Sequence, residues 1–212
     1  MRKSLGYEIL MTALVLVVIA GIAGALLGLV NHFTAVDEEE LLARKATAVY
    51  DGDLMKYVSE EGFEVPMDKA EGEILGVYVP KNGDKDVFVL VARGTGAYKG
   101  TLDLLVNITG GKVVKIAKYE ANETPGLGSK ALEDAYFKQY YDKPITEDFR
   151  GFALVKGNAV SPAEVSAVSG ASKSSTAVTN AVNAAVKWYQ LANEQGDTFA
   201  HDALVRLGKL QE

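Results

Sequence analysis

Cysteine is absent from this 212-residue chain. Its absence excludes disulfides, cysteine-ligated iron–sulfur clusters, c-type haem attachment and a catalytic thiol, so any redox chemistry belongs to another cofactor. Imidazole is nearly as scarce. His32 lies just outside an apolar run and His201 in a late helical pattern, and both read as surface or interfacial residues rather than metal or haem ligands. No basic tract is present: 28 acidic against 22 basic residues leave a net charge of -6, which argues against nucleic-acid phosphate as a partner. Internal repeats, a Walker A signature, HExxH, CxxC, a Ser-His-Asp arrangement and a Rossmann-like glycine pattern are missing too. The chemistry must be sought in glycine and hydroxyl loops.

What the chain does have is one long uncharged apolar run. Residues 9–30, ILMTALVLVVIAGIAGALLGLV, make roughly 33 Å of helix, enough to cross a hydrocarbon core about 30 Å thick. Arg2 and Lys3 precede the run and Asp37, Glu38, Glu39 and Glu40 follow it, so the positive-inside rule puts residues 1–8 in the cytoplasm and the rest outside. The run is longer than the apolar region of a cleaved signal peptide and lacks a small-x-small exit, so a retained anchor is expected. Gly21, Gly24, Ala25 and Gly28 are small enough to allow close packing on another membrane helix, although glycine is also simply common in such spans.

Beyond the anchor, residues 31–60 read as a stalk helix and linker, with a helix over 36–50, and residues 61–212 as one extracytoplasmic domain. ILGVYV (74–79) and VFVLVA (87–92) read as strands. RGTGAYKG (93–100) reads as a glycine-rich turn into TLDLLVNI (101–108), where Leu102, Leu104, Val106 and Ile108 alternate as in a half-buried strand. Gly110-Gly111 closes a hairpin onto KVVKIAKY (112–119). A helix over ALEDAYFKQY capped by Ser129, a strand at FALVKG (152–157), a long helix after SGASKSS and a short one through His201 to Leu207 complete the pattern. The fold class is α+β, an antiparallel sheet with packed helices.

Two loops stand out. In Glu123-Thr124-Pro125-Gly126-Leu127-Gly128 the proline restrains the backbone and the glycines permit unusual dihedrals or close contact with a planar ligand; a plain strand-to-helix turn is the alternative. In Val168-Ser169-Gly170-Ala171-Ser172-Lys173-Ser174-Ser175 small residues precede a strong helix, whose unpaired N–H groups favour a phosphate, with Lys173 adding positive potential. Helix capping by Ser172, Ser174 or Ser175 is the alternative there.

Taken in order, the anchor, GAYKG (96–100), ETPGLG (123–128) and SGAS (169–172) resemble the FMN-binding G subunit of the Rnf electron-transport complex. The C subunit of the sodium-translocating NADH:quinone reductase belongs to the same wider family. The resemblance covers nearly the whole chain. It implies FMN joined by a phosphoester to the last residue of an SGAT string, here Ser172, and installed from FAD by a flavin transferase. Ser169, Gly170, Ala171 and Lys173 would surround the phosphate, and Glu123, Thr124, Gly126, Leu127, Gly128 and Tyr98 would wall the flavin. Two departures are present: serine replaces the customary threonine, and Ser166 stands where the family carries an aspartate that the transferase recognises.

The resemblance further implies an electron carrier among polytopic and redox subunits that couple ferredoxin:NAD electron transfer to sodium or proton movement in a cell membrane. The anchor contains no ionisable residue between Ile9 and Val30, so the ion pathway belongs to other subunits. The competing expectation is a non-redox envelope module on a tether, with its ten tyrosines serving an interface.

Overall fold

The computed structural model describes residues 5–34, 38–56, 72–84 and 86–194. The chain divides into two compact units, Met1–Leu42 and Ala43–Glu212. The first holds a single long helix, α1 (Leu5–Thr34), whose described side chains are exposed over its apolar length. It is long and apolar enough to cross a membrane. The next helix, α2 (Glu38–Ala46), is shorter than the 36–50 expectation and ends in a turn.

The second unit is built on a five-stranded sheet: β1 (Leu54–Lys56), β2 (Gly72–Pro80), β3 (Val87–Ala97), β4 (Gly100–Thr109) and β5 (Lys112–Glu120). Each strand pairs antiparallel with its chain neighbour. Three-ten turns at Gly128–Leu132 and Lys138–Tyr140 flank the short helix α3 (Asp134–Phe137). A two-stranded parallel ladder follows, β6 (Ala153–Val155) beside β7 (Glu164–Ser166), and the 23-residue helix α4 (Ser172–Glu194) closes the unit.

One face of the sheet carries the main core. Leu90, Ala92, Leu102, Leu104, Val106 and Ile108 point toward Val178, Ala181, Val182, Ala185 and Val186 of α4, all nearly inaccessible. Each fully buried Leu, Ile or Val stabilises the fold by about 1.5–3 kcal/mol. The helix lies very close to β3. A Cβ built on Gly94 would overlap the carbonyl oxygen of Ala177 and come within 2.8 Å of Ala181 N. Asn180 Nδ2 then donates to Thr95 O at 3.0 Å. The glycines at 93–100 therefore serve helix–strand approach as well as a turn; β3 runs on to Ala97, and only Tyr98 and Lys99 form the turn itself.

The opposite face is covered as well, which the alternating pattern of β4 did not anticipate. Asp103, Leu105 and Asn107 are also buried. Asn107 Nδ2 donates to Val49 O at 2.7 Å, and Lys45 Nζ reaches Tyr119 O at 3.2 Å. The turn after α2 thus covers this face. On the same face Arg93 and Asp103, cross-strand partners in β3 and β4, form a two-pronged pair at 2.8 and 2.9 Å.

The expected helix over ALEDAYFKQY is broken. Glu133 is extended (φ -86, ψ 146) between the first three-ten turn and α3. Ala131 and Phe137 would lie about 120° apart on a continuous helix, yet both are buried in the core. The break brings them to the same side. Ser129 caps nothing; its hydroxyl accepts from Gly126 N at 2.9 Å. The expected helix through His201 and Leu207 lies outside the described residues.

Candidate functional site

Helix α4 starts earlier than expected, inside the serine string. Ser175 N donates to Ala171 O at 3.0 Å, which makes Ala171 the capping position and Ser172, Lys173 and Ser174 the first three helical residues. Among the described residues, none of their N–H groups makes a hydrogen bond. These are the orphan donors that every helix start leaves, and they point at the loop. No serine caps them.

The hydroxyls have divergent fates. Ser175 is fully buried, and its Oγ accepts from Val168 N at 3.0 Å. Ala171 N bonds Val168 O at 3.0 Å, and Gly170 takes φ +78, so residues 168–171 form a tight loop pinned from below. Ser174 is 2% exposed, and its Oγ donates to Glu123 Oε2 at 2.6 Å. Ser169 and Ser172 are exposed, as is Lys173, while Ala171 is buried.

The second loop is folded on itself and docked here. Leu127 N and Ser129 N both donate to Thr124 O at 3.2 Å. Gly128 is buried with no room for a side chain: a Cβ would overlap Glu123 Oε2 and lie 2.7 Å from Ser174 Oγ. A Cβ on Gly170 would come within 3.1 Å of Leu127 Cδ1. Thr124, Pro125, Gly126 and Leu127 remain exposed, Leu127 at 47%.

The turn between β3 and β4 supplies a third wall. Tyr98 is 71% exposed, and Lys173 Nζ stands 5.7 Å from its ring centroid. Lys99 Nζ donates to Asn122 Oδ1 at 3.0 Å, tying this turn to the chain entering the 123–128 loop. The structure thus gathers Tyr98, Glu123, Thr124, Gly126, Leu127, Gly128, Ser169, Gly170, Ala171, Ser172 and Lys173 around the start of α4. Sequence reasoning missed Ser175 as the pin of the 168–171 loop and Lys99–Asn122 as a brace; a serine before a helix carries no mark of which neighbour it will bond.

Ser166 ends β7. Its N–H donates to Gln139 Oε1 at 2.9 Å, and its Oγ accepts from Ala159 N at 2.9 Å. A carboxylate at this position could accept the same N–H. A cleft of about 340 Å³ lies further along α4, lined by Gly72, Phe149, Arg150 and Lys187 among others, and includes none of the loop residues. No group of side chains able to hold a metal occurs among the described residues.

The chain matches the FMN-binding domain model over residues 97–187, which spans all three loops. It is 33% identical over 194 residues to the G subunit of the Na(+)-translocating ferredoxin:NAD(+) oxidoreductase complex of Acetobacterium woodii, covering 84% of this chain and 89% of that one. It belongs to the Rnf G-subunit family. A second G subunit, from the proton-translocating ferredoxin:NAD(+) oxidoreductase complex of Clostridium ljungdahlii, is 33% identical over 111 residues, 52% of this chain and 57% of that one. The crystal structure of Shewanella oneidensis NqrC shares the fold at a TM-score of 0.53, with 16% identity, over 79% of this chain and 98% of that one. The α+β architecture is the fold shared with that structure.

The three loops suit FMN physically. A phosphate needs unpaired N–H groups, an approach free of large side chains and a nearby cation. Ser172, Lys173 and Ser174 N–H, Gly170-Ala171 and Lys173 Nζ provide them. A planar ring needs apolar and aromatic surface, which Leu127 and Tyr98 leave exposed.

Proposed function

We propose that this Rnf G-type chain carries FMN through a phosphoester to Ser172 and passes electrons within a membrane complex that couples ferredoxin:NAD electron transfer to sodium or proton movement. The observation that carries the assignment is the division of the four serines. Ser174 and Ser175 are buried and committed, to Glu123 and to Val168 N, while Ser172 is exposed at the helix start. Ser169 is exposed too, but it precedes the Gly170 bend and lies outside the first turn, where the orphan N–H groups are.

Attachment requires a flavin transferase and FAD. The Ser172 oxygen bonds to the phosphorus of the FMN half, the pyrophosphate bond breaks, AMP leaves with the bridging oxygen, and the hydroxyl proton passes to the transferase or solvent. The linked FMN supplies one- and two-electron transfer. The protein's part is to hold the phosphate with the N–H groups of Ser172, Lys173 and Ser174 and to offset its charge with Lys173. Leu127, Tyr98 and the 123–128 backbone would form the wall against which the ring could rest, out of water. The soluble unit faces away from the cytoplasm, in keeping with the charges flanking the anchor.

The test is protein coexpressed with its own flavin transferase. It should give one fluorescent band after denaturing electrophoresis, and the tryptic peptide of residues 157–173 should carry the mass of FMN less water. Ser172→Ala should abolish both signals and Ser172→Thr keep them. Ser166→Asp should raise occupancy wherever modification is incomplete. Flavin on another residue, or a bare peptide from the native complex, defeats the assignment.

A further inference from the structure

The carboxylate of Glu123 stands at the junction of the loops, and no cation among the described residues forms an ion pair with it. It is half-buried, accepts a 2.6 Å hydrogen bond from the buried Ser174, and fills the space that a side chain at Gly128 would need. Two lysines of the surrounding loops are directed elsewhere, Lys173 toward the Tyr98 ring and Lys99 toward Asn122. Both are exposed, so water and salt screen them more than they screen the half-buried carboxylate.

Two residues of helix and one hydrogen bond separate this charge from the acceptor. A rise of 1.5 Å per residue and the reach of a serine side chain place Glu123 within roughly 11 Å of the Ser172 backbone. At an effective dielectric of about 20, a unit charge about 11 Å from another changes an equilibrium by about a factor of ten, which is the scale of the effect for a flavin ring held at a comparable distance.

We propose that the Glu123 carboxylate is an electrostatic positioning group that lowers the reduction potential of the flavin held at Ser172. This rests on the reading of Ser172 as the attachment site. Reduction by two electrons with uptake of one proton leaves a negative charge on the ring, and a fixed, poorly screened carboxylate on the wall of the same site opposes that charge. Ser174 holds the carboxylate in place and ties it to the helix that bears the phosphate.

The experiment is a redox titration of the flavin-loaded full chain in detergent, with dithionite as reductant, mediators present and flavin absorbance as readout. Glu123→Gln keeps an acceptor for Ser174 and removes the charge. It should favour reduction by about tenfold, which for two electrons is an upward shift of about 30 mV. Glu123→Asp keeps the charge and should stay close to the parent protein. Ser174→Ala keeps the charge but frees the loop; it should lower the unfolding midpoint and move the potential less than Glu123→Gln does. An unchanged potential in Glu123→Gln overturns the proposal, as does an equal shift in Ser174→Ala or Glu123→Asp. A Gln variant that loses its flavin overturns it as well, because the carboxamide retains the acceptor. The tryptic peptide of residues 157–173 is weighed in every sample: a parent protein bare at Ser172 refutes the attachment reading, whereas a loaded Ser172 with an unmoved potential refutes only the role of Glu123.

Discussion

Gly94 is the position where the smallest change should have the largest structural effect. Its backbone is not in the left-handed region, so alanine there brings no dihedral strain, only volume. The added Cβ would overlap the Ala177 carbonyl oxygen and stand 2.8 Å from both Ala177 C and Ala181 N. These are backbone atoms of α4 and cannot swing aside as a flexible side chain would. The helix must lift from β3 by an ångström or more, loosening Leu90, Ala92, Val178 and Val182, all fully buried. Overpacking of this kind costs about 1–3 kcal/mol, and a rigid backbone neighbour puts it at the upper end. For a unit of this size that lowers the melting temperature by about 4–10 °C. Gly83→Ala is the control: φ is +87 but nothing lies within 4 Å of the new Cβ, so it carries backbone strain of about 1 kcal/mol and no helix displacement. Thermal unfolding followed by circular dichroism, with flavin loading measured alongside, separates the two. Gly94→Ala should lose both stability and loading, because lifting α4 pulls Ser174 from Glu123; Gly83→Ala should lose a little stability only. A Gly94→Ala protein as stable and as well loaded as the parent would refute the close approach.

Two other outcomes follow from the sheet and the tyrosines. Asp103→Ala removes the partner of Arg93, whose side chain is 37% exposed against 6% for Asp103. Partial solvation, with Glu73 and Glu120 close enough to act on Arg93, should hold the loss to about 1–2 kcal/mol in urea unfolding; a loss above that range would mean the guanidinium is buried more deeply than its exposure indicates. At alkaline pH, burial pushes Tyr141 up to about 12 and raises Tyr140 and Tyr189 above their ordinary value. The unfolded chain therefore releases tyrosine protons first. Stability is fully present below about pH 10 and should fall as pH rises from about 10 to 12, with a shallower slope in Tyr141→Phe; a flat unfolding midpoint across that window would contradict the burial.

Much of the sheet was legible because its signals are local. Strands 74–79, 87–92, 101–108 and 112–119 each carried their own apolar pattern, and Gly110-Gly111 marked its own turn. What failed depended on distant partners. Burial of Leu105 and Asn107 is caused by the chain around Val49, which no periodicity within β4 reports. The break at Glu133 follows from where the core lies relative to Ala131 and Phe137. Ser129 and the serines of 172–175 all read as cap residues, because capping is what a serine near a helix start does most often. Tertiary neighbours claimed three of them instead: Gly126 N bonds Ser129, Val168 N bonds Ser175 and Glu123 bonds Ser174.

The same substitution of partners bears on how a loop so rich in hydroxyls could present Ser172 as the proposed acceptor. A helix start with four nearby serines is chemically ambiguous in sequence, since each oxygen is an equal nucleophile once exposed. The fold narrows the ambiguity by burying Ser174 and Ser175, and of the two exposed hydroxyls only Ser172 lies in the first turn of the helix. Ser175 holds the bend that sets residues 168–171, and Ser174 holds the 123–128 loop against it, so the two hydroxyls that resemble Ser172 most closely build its surroundings. Gly128 and Gly170 allow the two loops to meet without intervening side chains. If Ser172 is the acceptor we propose, its selection and the shape of the flavin site have a common origin, and a mutation that frees Ser174 or Ser175 should blur both together.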